Sequence, residues 1–538
     1  MLENSLFGII LVIILPFGMV AQTFEWAKRA GGPGDDGAMG LTMDANGNLF
    51  MSGSTTGMAN FDNKIAHSRG CYDGFVVQYG TNHIAQWVKT FGGMICDYAG
   101  DVSTDSTGNV YVTGYLYYDA YFDTLLVQIP NGREFYVAKY DQTGQFQWVH
   151  TYSLLGDSYN AMMKYDHGRL YMFGTFQDTL QIGTASLVAG GQRDGFVSAW
   201  DTAGNFLWVR QGMSQYDFEP DGMIGDAHGN VYITAEISGL TYFGPFVFQG
   251  QGHRPHIIAK LNRWGQVVWA KQLHADRLGY YPRLALSPSG DLYVGGEAMG
   301  PIQFDSLTFS GGGMMWLMRL DTAGNLRWMQ TVKGEIRPYE IAIDGFDNAY
   351  VIGDFRDTVK IGTTVMHTTM RYQYNSFLAH FADDGSIVSG LQIKSIPMGV
   401  NFPANLCLQG DTTLYIAGRY QDTIYIGSTT LLGIGNYDIF LAKLNLSPVV
   451  AVPETSVPTP MRIYPNPAHE SFTIADDRIA AGAVLTLSAP DGKLVRKIAL
   501  HGPQTVVSTE GLAAGLYFYR VEAARGAGIM TGKLVVVE

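Results

Sequence analysis

Cysteine is nearly missing from these 538 residues: only Cys71, Cys96 and Cys407 occur. Three are too few for a disulfide scaffold, and their spacing fits no metal motif. A Cys71–Cys96 bridge and buried free thiols both stay open. Charge is scarce as well, with Asp, Glu, Lys and Arg making up 15% of the chain against roughly a quarter in average soluble proteins. The formal net charge is -13 and no cluster of Lys and Arg stands out. That excludes a nucleic-acid partner, whose phosphates are held by such clusters. Long apolar runs are limited to one, Leu6 to Val20, broken by Pro16 and Gly18. It is shorter than the ~20 residues of a comfortable bilayer span but suits the core of a secretory signal. Residues 1–21 are therefore expected to be a signal peptide cut after Ala21, although Glu3 stands where Lys or Arg is usual, and no span is expected in the mature chain.

Glycine and aromatics, by contrast, are plentiful: 66 Gly, 31 Tyr, 28 Phe and 9 Trp, in a chain that is 46% hydrophobic. Frequent turns between aromatic and β-branched segments predict an all-β protein with an ample core. A long period organises these segments. Trp26, Trp87, Trp148, Trp208, Trp269 and Trp328 lie 61, 61, 60, 61 and 59 residues apart, and one more step of 61 reaches Ser389, where the pattern continues without the indole. Between these points the same grammar recurs: a strand-turn-strand such as "VSTDSTGNVYVTG", a variable piece often containing "DT", then a segment such as "LMRLDTAGNLRW". In each D-x-x-G element Asp opens a turn through its own backbone and Gly accepts positive φ.

Each unit reads as four short antiparallel strands that can bury both faces only by stacking on neighbours. Over about residues 22–447 the units resemble the seven-bladed β-propeller repeats common in secreted bacterial proteins. The resemblance implies an architecture and says almost nothing about activity. Seven hairpin pairs lie between Gly40 and Leu446, and the last lacks a Trp strand, whereas "QTFEWAKRAGG" stands unpaired before the first. The N-terminal strand is thus expected to complete the last blade of a propeller spanning 22–446. "LDTAGNLRW" is also similar to the tryptophan-docking repeats of quinoprotein dehydrogenases, but those repeats are shorter. A regularly spaced indole is explained as a packing anchor between blades, and no cofactor is expected.

After Leu446 the text becomes "SPVVAVPETSVPTP", a Pro-rich linker over 447–460. Residues 461–538 alternate in short strands and predict a small Ig-like β-sandwich. "YPNP" (Tyr464, Pro465, Asn466, Pro467), "DGK" at 491–493, "GLYFYRV" opening with Gly515, Leu516 and Tyr517, and "GKLVV" opening with Gly532 and Lys533 resemble, in order, the type A C-terminal sorting domain of the Bacteroidetes type IX secretion system. The resemblance implies passage through the inner membrane by the signal peptide and the outer membrane by this domain. The type IX machinery is then a partner of residues 461–538, and the location is secreted or the outer-membrane surface of a Gram-negative bacterium. In the family this domain is usually removed and the cargo is released or attached to surface lipopolysaccharide.

Catalytic signatures are wanting. "AGGPGDDG" and "SGGGM" lack the strand-loop-helix setting and Lys of a phosphate cradle. No G-x-S-x-G occurs, nor the Ser-x-Asp-x-Gly-x-Thr-Trp box of sialidases. His253 and His256 have no third ligand nearby, and the D-x-x-G carboxylates are not at the spacing of an EF-hand loop, so no metal is expected. The loops that leave each Trp strand should meet at one mouth of a central channel, and there Asp36, Asp97, Tyr98, Asp157, Tyr159, Asp217, Glu219, Tyr280, Tyr281, Arg337 and Tyr339 recur. Carboxylates with Tyr faces would suit a sugar or a peptide. The sequence thus predicts a noncatalytic binding or interaction module. Its rivals are an extracellular hydrolase or lyase acting on glycan or peptide within the channel, and a purely structural surface protein with only a solvated acidic rim.

Overall fold

The computed structural model describes residues 22–130, 132–152, 161–250, 255–279, 282–305, 307–309, 313–370, 373–396, 399–446, 462–476, 479, 482–489, 493–522 and 529–537; the expected signal peptide and linker lie outside them. The described residues are all-β. Among them no helix is long and apolar enough to cross a membrane. The chain divides into two compact units, Met1–Ser447 and Pro448–Glu538.

In the first unit one antiparallel ladder is reused. Asp36–Met43 pairs with Leu49–Thr55, that strand with Asp73–Tyr79, and that one with Ala85–Gly93. The ladder starts again at Tyr98–Thr104, Ala161–Asp166, Phe218–Gly225, Arg283–Leu286, Glu335–Ile343 and Asn401–Gln409. D-x-x-G makes the turns: the Asp44 carboxylate accepts the N–H groups of Asn46 and Asn48 at 2.9 Å each, fixing the bend. Every residue of Leu49–Thr55 and Asp73–Tyr79 is buried, as in strands covered on both faces. First strands of successive ladders touch one another, and Asn401–Gln409 returns to touch Asp36–Met43, so that they close a circle.

The ladder begun by Asn401–Gln409 takes its fourth strand from the far end of the chain. Thr23–Ala30 runs antiparallel to Asp438–Asn445, with Trp26 opposite Lys443. This is the pairing expected from the solitary Trp strand.

Trp and Gly lock neighbouring ladders together. A Cβ placed on Gly144 or Gly265, at φ +80° and +77°, would come within 2.6 and 2.5 Å of the Trp87 and Trp208 indoles, each from the preceding ladder. The Trp208, Trp269 and Trp328 Nε1–H groups donate to the carbonyls of Arg263, Thr322 and Asp383 at 2.9, 3.1 and 2.8 Å. Two residues after the indole, Lys28, Lys89 and Lys271 meet Asp62, Asp123 and Asp305 of the following ladder at 2.8, 3.3 and 3.0 Å. Each Trp strand therefore belongs to one ladder and clamps the next. Because Trp208 is only half-buried, Trp208→Ala is expected to cost about 2–3 kcal/mol in urea unfolding, below the ~3–5 of fully buried aromatics; a loss under ~0.5 kcal/mol would show that the indole is ornamental.

The second unit has a three-stranded sheet, Arg462–Tyr464, Ser471–Ala475 and Gln504–Ser508, and a four-stranded one in which Val484–Ser488 lies between Leu494–Ala499 and Gly515–Glu522, the latter pairing Ile529–Val536. Phe472 and Ile474 from the first sheet and Leu485, Leu487, Val521 and Leu534 from the second share one core.

Candidate binding site

The circle of first strands encloses a cavity of about 1510 Å³. Of the mouth residues expected from sequence, Asp36, Tyr98, Arg337 and Tyr339 line it. Asp157, Tyr159, Tyr280 and Tyr281 lie outside the described residues.

The acidic members are taken up by the loops themselves. Asp36, 1% exposed, accepts the Gly32 N–H at 2.6 Å and the Thr55 hydroxyl. Asp97, fully buried, accepts the N–H groups of Gly93 and Tyr117, both at 2.7 Å. Burial pushes both carboxyls up to about 6, against the hydrogen bonds that favour the charged form. Asp217 and Glu219 are both held by Arg193 at 2.7 Å. Of these four only Asp36 lines the cavity, and each of the four carboxylates is engaged by protein groups. Arg337 donates to Asp354 at 2.8 and 2.6 Å and Tyr339 adds a third bond at 2.7 Å, so that cation too is matched.

A carboxyl whose native pKa is raised contributes stability below about pH 4 and loses it as pH climbs through about 6. Asp36→Asn removes that dependence. In parallel urea titrations the Asn variant is therefore expected to gain on the wild type between pH 4 and 7; a constant gap would refute the buried-acid assignment.

Aromatic faces replace acids as the main feature of the mouth. Tyr72 donates its hydroxyl to Asp35 at 2.6 Å and stacks on Tyr98, with centroids 5.4 Å apart. Tyr98 meets Tyr115 at 5.1 Å. On the adjoining ladder Tyr437 and Phe402 flank the Arg419 guanidinium at 4.9 and 5.6 Å, and Tyr374 lies 4.5 Å from that of Arg337. All nine of these residues line the same cavity. Cys71 and Cys96 form a disulfide with Cα atoms 4.9 Å apart, and Asp97 N–H donates to the Tyr72 carbonyl at 2.6 Å. The bridge thus fixes the loops that carry Tyr72 and Tyr98. Cys407 is a free thiol.

Tyr72, Tyr374 and Tyr437 were missed because they arrive from another loop, the one before the third strand. They share a signal, a Tyr followed by Asp or Asn, then Phe two residues later: "YDGF", "YNSF" and "YDIF".

Deeper in the cavity, burial works against the Lys164 ammonium, but Asp101, Asp166 and Glu340 outweigh it and hold its pKa above the ordinary lysine value. Glu340 is pushed up by burial and drawn down by Arg283 and Lys164. Among the described residues no His, Cys, Asp and Glu group could hold a metal ion. His256 is buried 3.1 Å from Asp221, and His253 lies outside the described residues.

In the second unit the motifs at either end of the sequence signature meet. Asn466 donates its Nδ2–H to the Lys533 carbonyl and accepts the Val535 N–H, both at 2.9 Å, and Ala468 N–H donates to the Val535 carbonyl at 2.8 Å. "YPNP" is thereby docked on the "GKLVV" strand, where Gly532 pairs with Tyr519. Tyr517 is buried with its hydroxyl on the Ala513 carbonyl at 2.7 Å, while Tyr464 and Leu516 are exposed. The family model of the secretion system C-terminal sorting domain matches residues 462–537. Residues 462–537 form a secretion sorting domain. The sorting domain marks the chain for export by the type IX route, to the cell surface or beyond.

No curated protein matches the chain. Among solved structures it is similar to hydrazine synthase of Kuenenia stuttgartiensis, at 12% identity and TM-score 0.40 over 74% of this chain and 95% of that one. PorZ, a surface component of the type IX secretion system of Porphyromonas gingivalis, matches at 13% identity and TM-score 0.20 over 95% of this chain and 75% of its own. A Dyadobacter fermentans protein of unknown function matches at 9% and 0.37, over 78% and 99%.

Proposed function

We propose that residues 22–446 form a seven-bladed β-propeller and that the protein is a noncatalytic binding module, delivered to the cell surface by its sorting domain and using the channel mouth to hold a saccharide or peptide. Support for the propeller comes from the recurring four-stranded ladder, the circle of first strands and the ladder shared by the first and last strands of that unit. In this reading 447–460 is the linker, and 461–538 is an Ig-like sandwich in which Tyr464, Pro465, Asn466, Pro467, Gly515, Leu516, Tyr517, Gly532 and Lys533 serve recognition by the export machinery.

The observation that carries the binding role is the Tyr72–Tyr98–Tyr115 arc on the cavity wall, continued on the adjoining ladder by Phe402, Arg419 and Tyr437. Half-buried aromatic faces on a rigid scaffold offer contact area at low entropic cost. The rival hydrolase or lyase would need two carboxyl groups converging on one bond; Asp101 and Glu340 act on Lys164 instead, with Arg283 beside Glu340.

Glycan-array binding by the full chain, repeated with Tyr72→Ala and Tyr98→Ala, tests this. Loss of tenfold or more at every bound glycan is expected, without release of new reducing ends. Binding that survives both substitutions would remove the mouth from consideration, and cleavage abolished by Glu340→Gln would favour the enzyme.

A further inference from the structure

Resting on the binding reading above, we propose that the mouth selects an acidic saccharide of the uronic-acid class, with Arg419 as the group that takes its carboxylate. Two of the cavity's other cations are matched: Arg337 is held twice by Asp354, and Lys164 lies among Asp101, Asp166 and Glu340. Arg283, half-buried beside Glu340, is turned inward with its Nε buried and unpartnered and does not present its fork at the mouth. Arg419 is exposed and, among the described residues, makes no ion pair or hydrogen bond. Its guanidinium is nonetheless held in place, 4.9 Å from the Tyr437 ring and 5.6 Å from that of Phe402, its cross-strand partner. A guanidinium fixed by aromatic faces keeps its N–H edge available for the two oxygens of a carboxylate.

The surroundings fit the rest of a sugar ring. Tyr437 is tied to Asp35 by a parallel bridge, with Asp36 N–H donating to the Tyr437 carbonyl at 3.0 Å. Asp35 holds the Tyr72 hydroxyl with one oxygen, while the other is buried without a partner and can accept a ligand hydroxyl. Next to it the stacked Tyr72 and Tyr98 present flat apolar faces for the C–H side of a pyranose. Cation, free acceptor and aromatic platform are the groups that a carboxylate, a hydroxyl and a ring face require. A neutral sugar leaves Arg419 unused, and a flexible acidic peptide leaves the platform unused.

The test is calorimetric titration of the full chain with oligogalacturonate, its methyl ester and poly-glutamate. We expect the free acid to bind at least tenfold tighter than the ester. Arg419→Gln should bring it down to the level of the ester without altering the ester's affinity or the melting temperature, and Arg419→Lys should recover only part of the gain, because an ammonium cannot form the paired bonds. Equal affinity for acid and ester, an acid affinity untouched by Arg419→Gln, no binding of oligogalacturonate, or equally tight binding of poly-glutamate each overturns the inference. Should the ester bind in a Tyr72-dependent manner with no gain from the free acid, the acid selectivity falls while the mouth remains a saccharide site.

Discussion

A variant lacking residues 22–30 is expected to lose the cooperative unfolding transition of the first unit altogether. Thr23–Ala30 is the fourth strand of the ladder begun by Asn401–Gln409, and it also reaches the next ladder: Trp26 packs on His83 with centroids 4.9 Å apart, and Lys28 pairs with Asp62 at 2.8 Å. Removing it strips a buried sheet edge from Asp438–Asn445 and unlocks the contact between the ladders begun by Asn401–Gln409 and Asp36–Met43. The combined loss is on the order of the whole stability of a domain, about 5–15 kcal/mol. The measurement is a urea titration followed by Trp fluorescence, with a peptide of residues 22–32 added back. Restoration of the transition by the peptide would confirm that the edge is what was lost. A truncated chain that still melts in one sharp step near the wild-type midpoint would show that the strand is dispensable and that the circle closes by other means.

Arg319 supports the second large effect. Its side chain is nearly buried and has three close acceptors, the Asp291 carboxylate at 2.7 Å, Asp347 at 2.5 Å and the Asp383 carbonyl at 2.9 Å, with the Ser289 hydroxyl farther off at 3.3 Å. Asp291 belongs to its own ladder, Asp347 and Asp383 to the next, so one guanidinium joins the two. Removing one partner of a buried pair typically costs about 3–5 kcal/mol because the other charge is left behind. Arg327, half-exposed, also reaches Asp291 and softens the loss, which places Arg319→Met near the lower figure, about 3 kcal/mol in equilibrium unfolding. Arg319→Lys should recover less than half, since an ammonium cannot span all three acceptors. A loss below about 1 kcal/mol for the Met variant would mean that Arg327 alone satisfies Asp291.

Much of the architecture was legible because it is built from short rules repeated at a fixed spacing. The 59–61-residue step between Trp residues is the distance from one fourth strand to the next, and the surplus strand around Trp26 could be matched to the missing one after Leu446 by counting alone. "YPNP" and "GKLVV" were legible for the same reason, being brief and ordered. The Trp-to-Gly caps and Lys-to-Asp bridges between ladders were written in the same period but become visible only when strands from neighbouring ladders are set side by side.

The mouth was half legible. Tyr98, Arg337 and Tyr339 open the first strands that follow a Trp strand, whereas Tyr72, Tyr374 and Tyr437 come from the loops between second and third strands and meet them only when neighbouring ladders are set side by side. Asp36 and Asp97 resemble free acids in the sequence; whether backbone N–H groups turn toward them depends on the loop conformation, which no letter encodes. Arg419 stands apart in the sequence too, in the second strand of its ladder, where nothing marks it as the one cavity cation without a carboxylate among the described residues.

The pairing of Thr23 with Asn445 joins residues 422 positions apart in the chain, which gives assembly an order in time. However early the middle sheets form, the final one must wait for the first and last strands of this unit. Closure of so long a loop is entropically expensive and slow. Until then Asp438–Asn445 presents a bare hydrogen-bonding edge, the kind that invites pairing with another chain. The interval between synthesis of the last strand and docking of the first upon it is when this protein should be most exposed to aggregation, and a factor that shields that edge would act there and be idle afterwards.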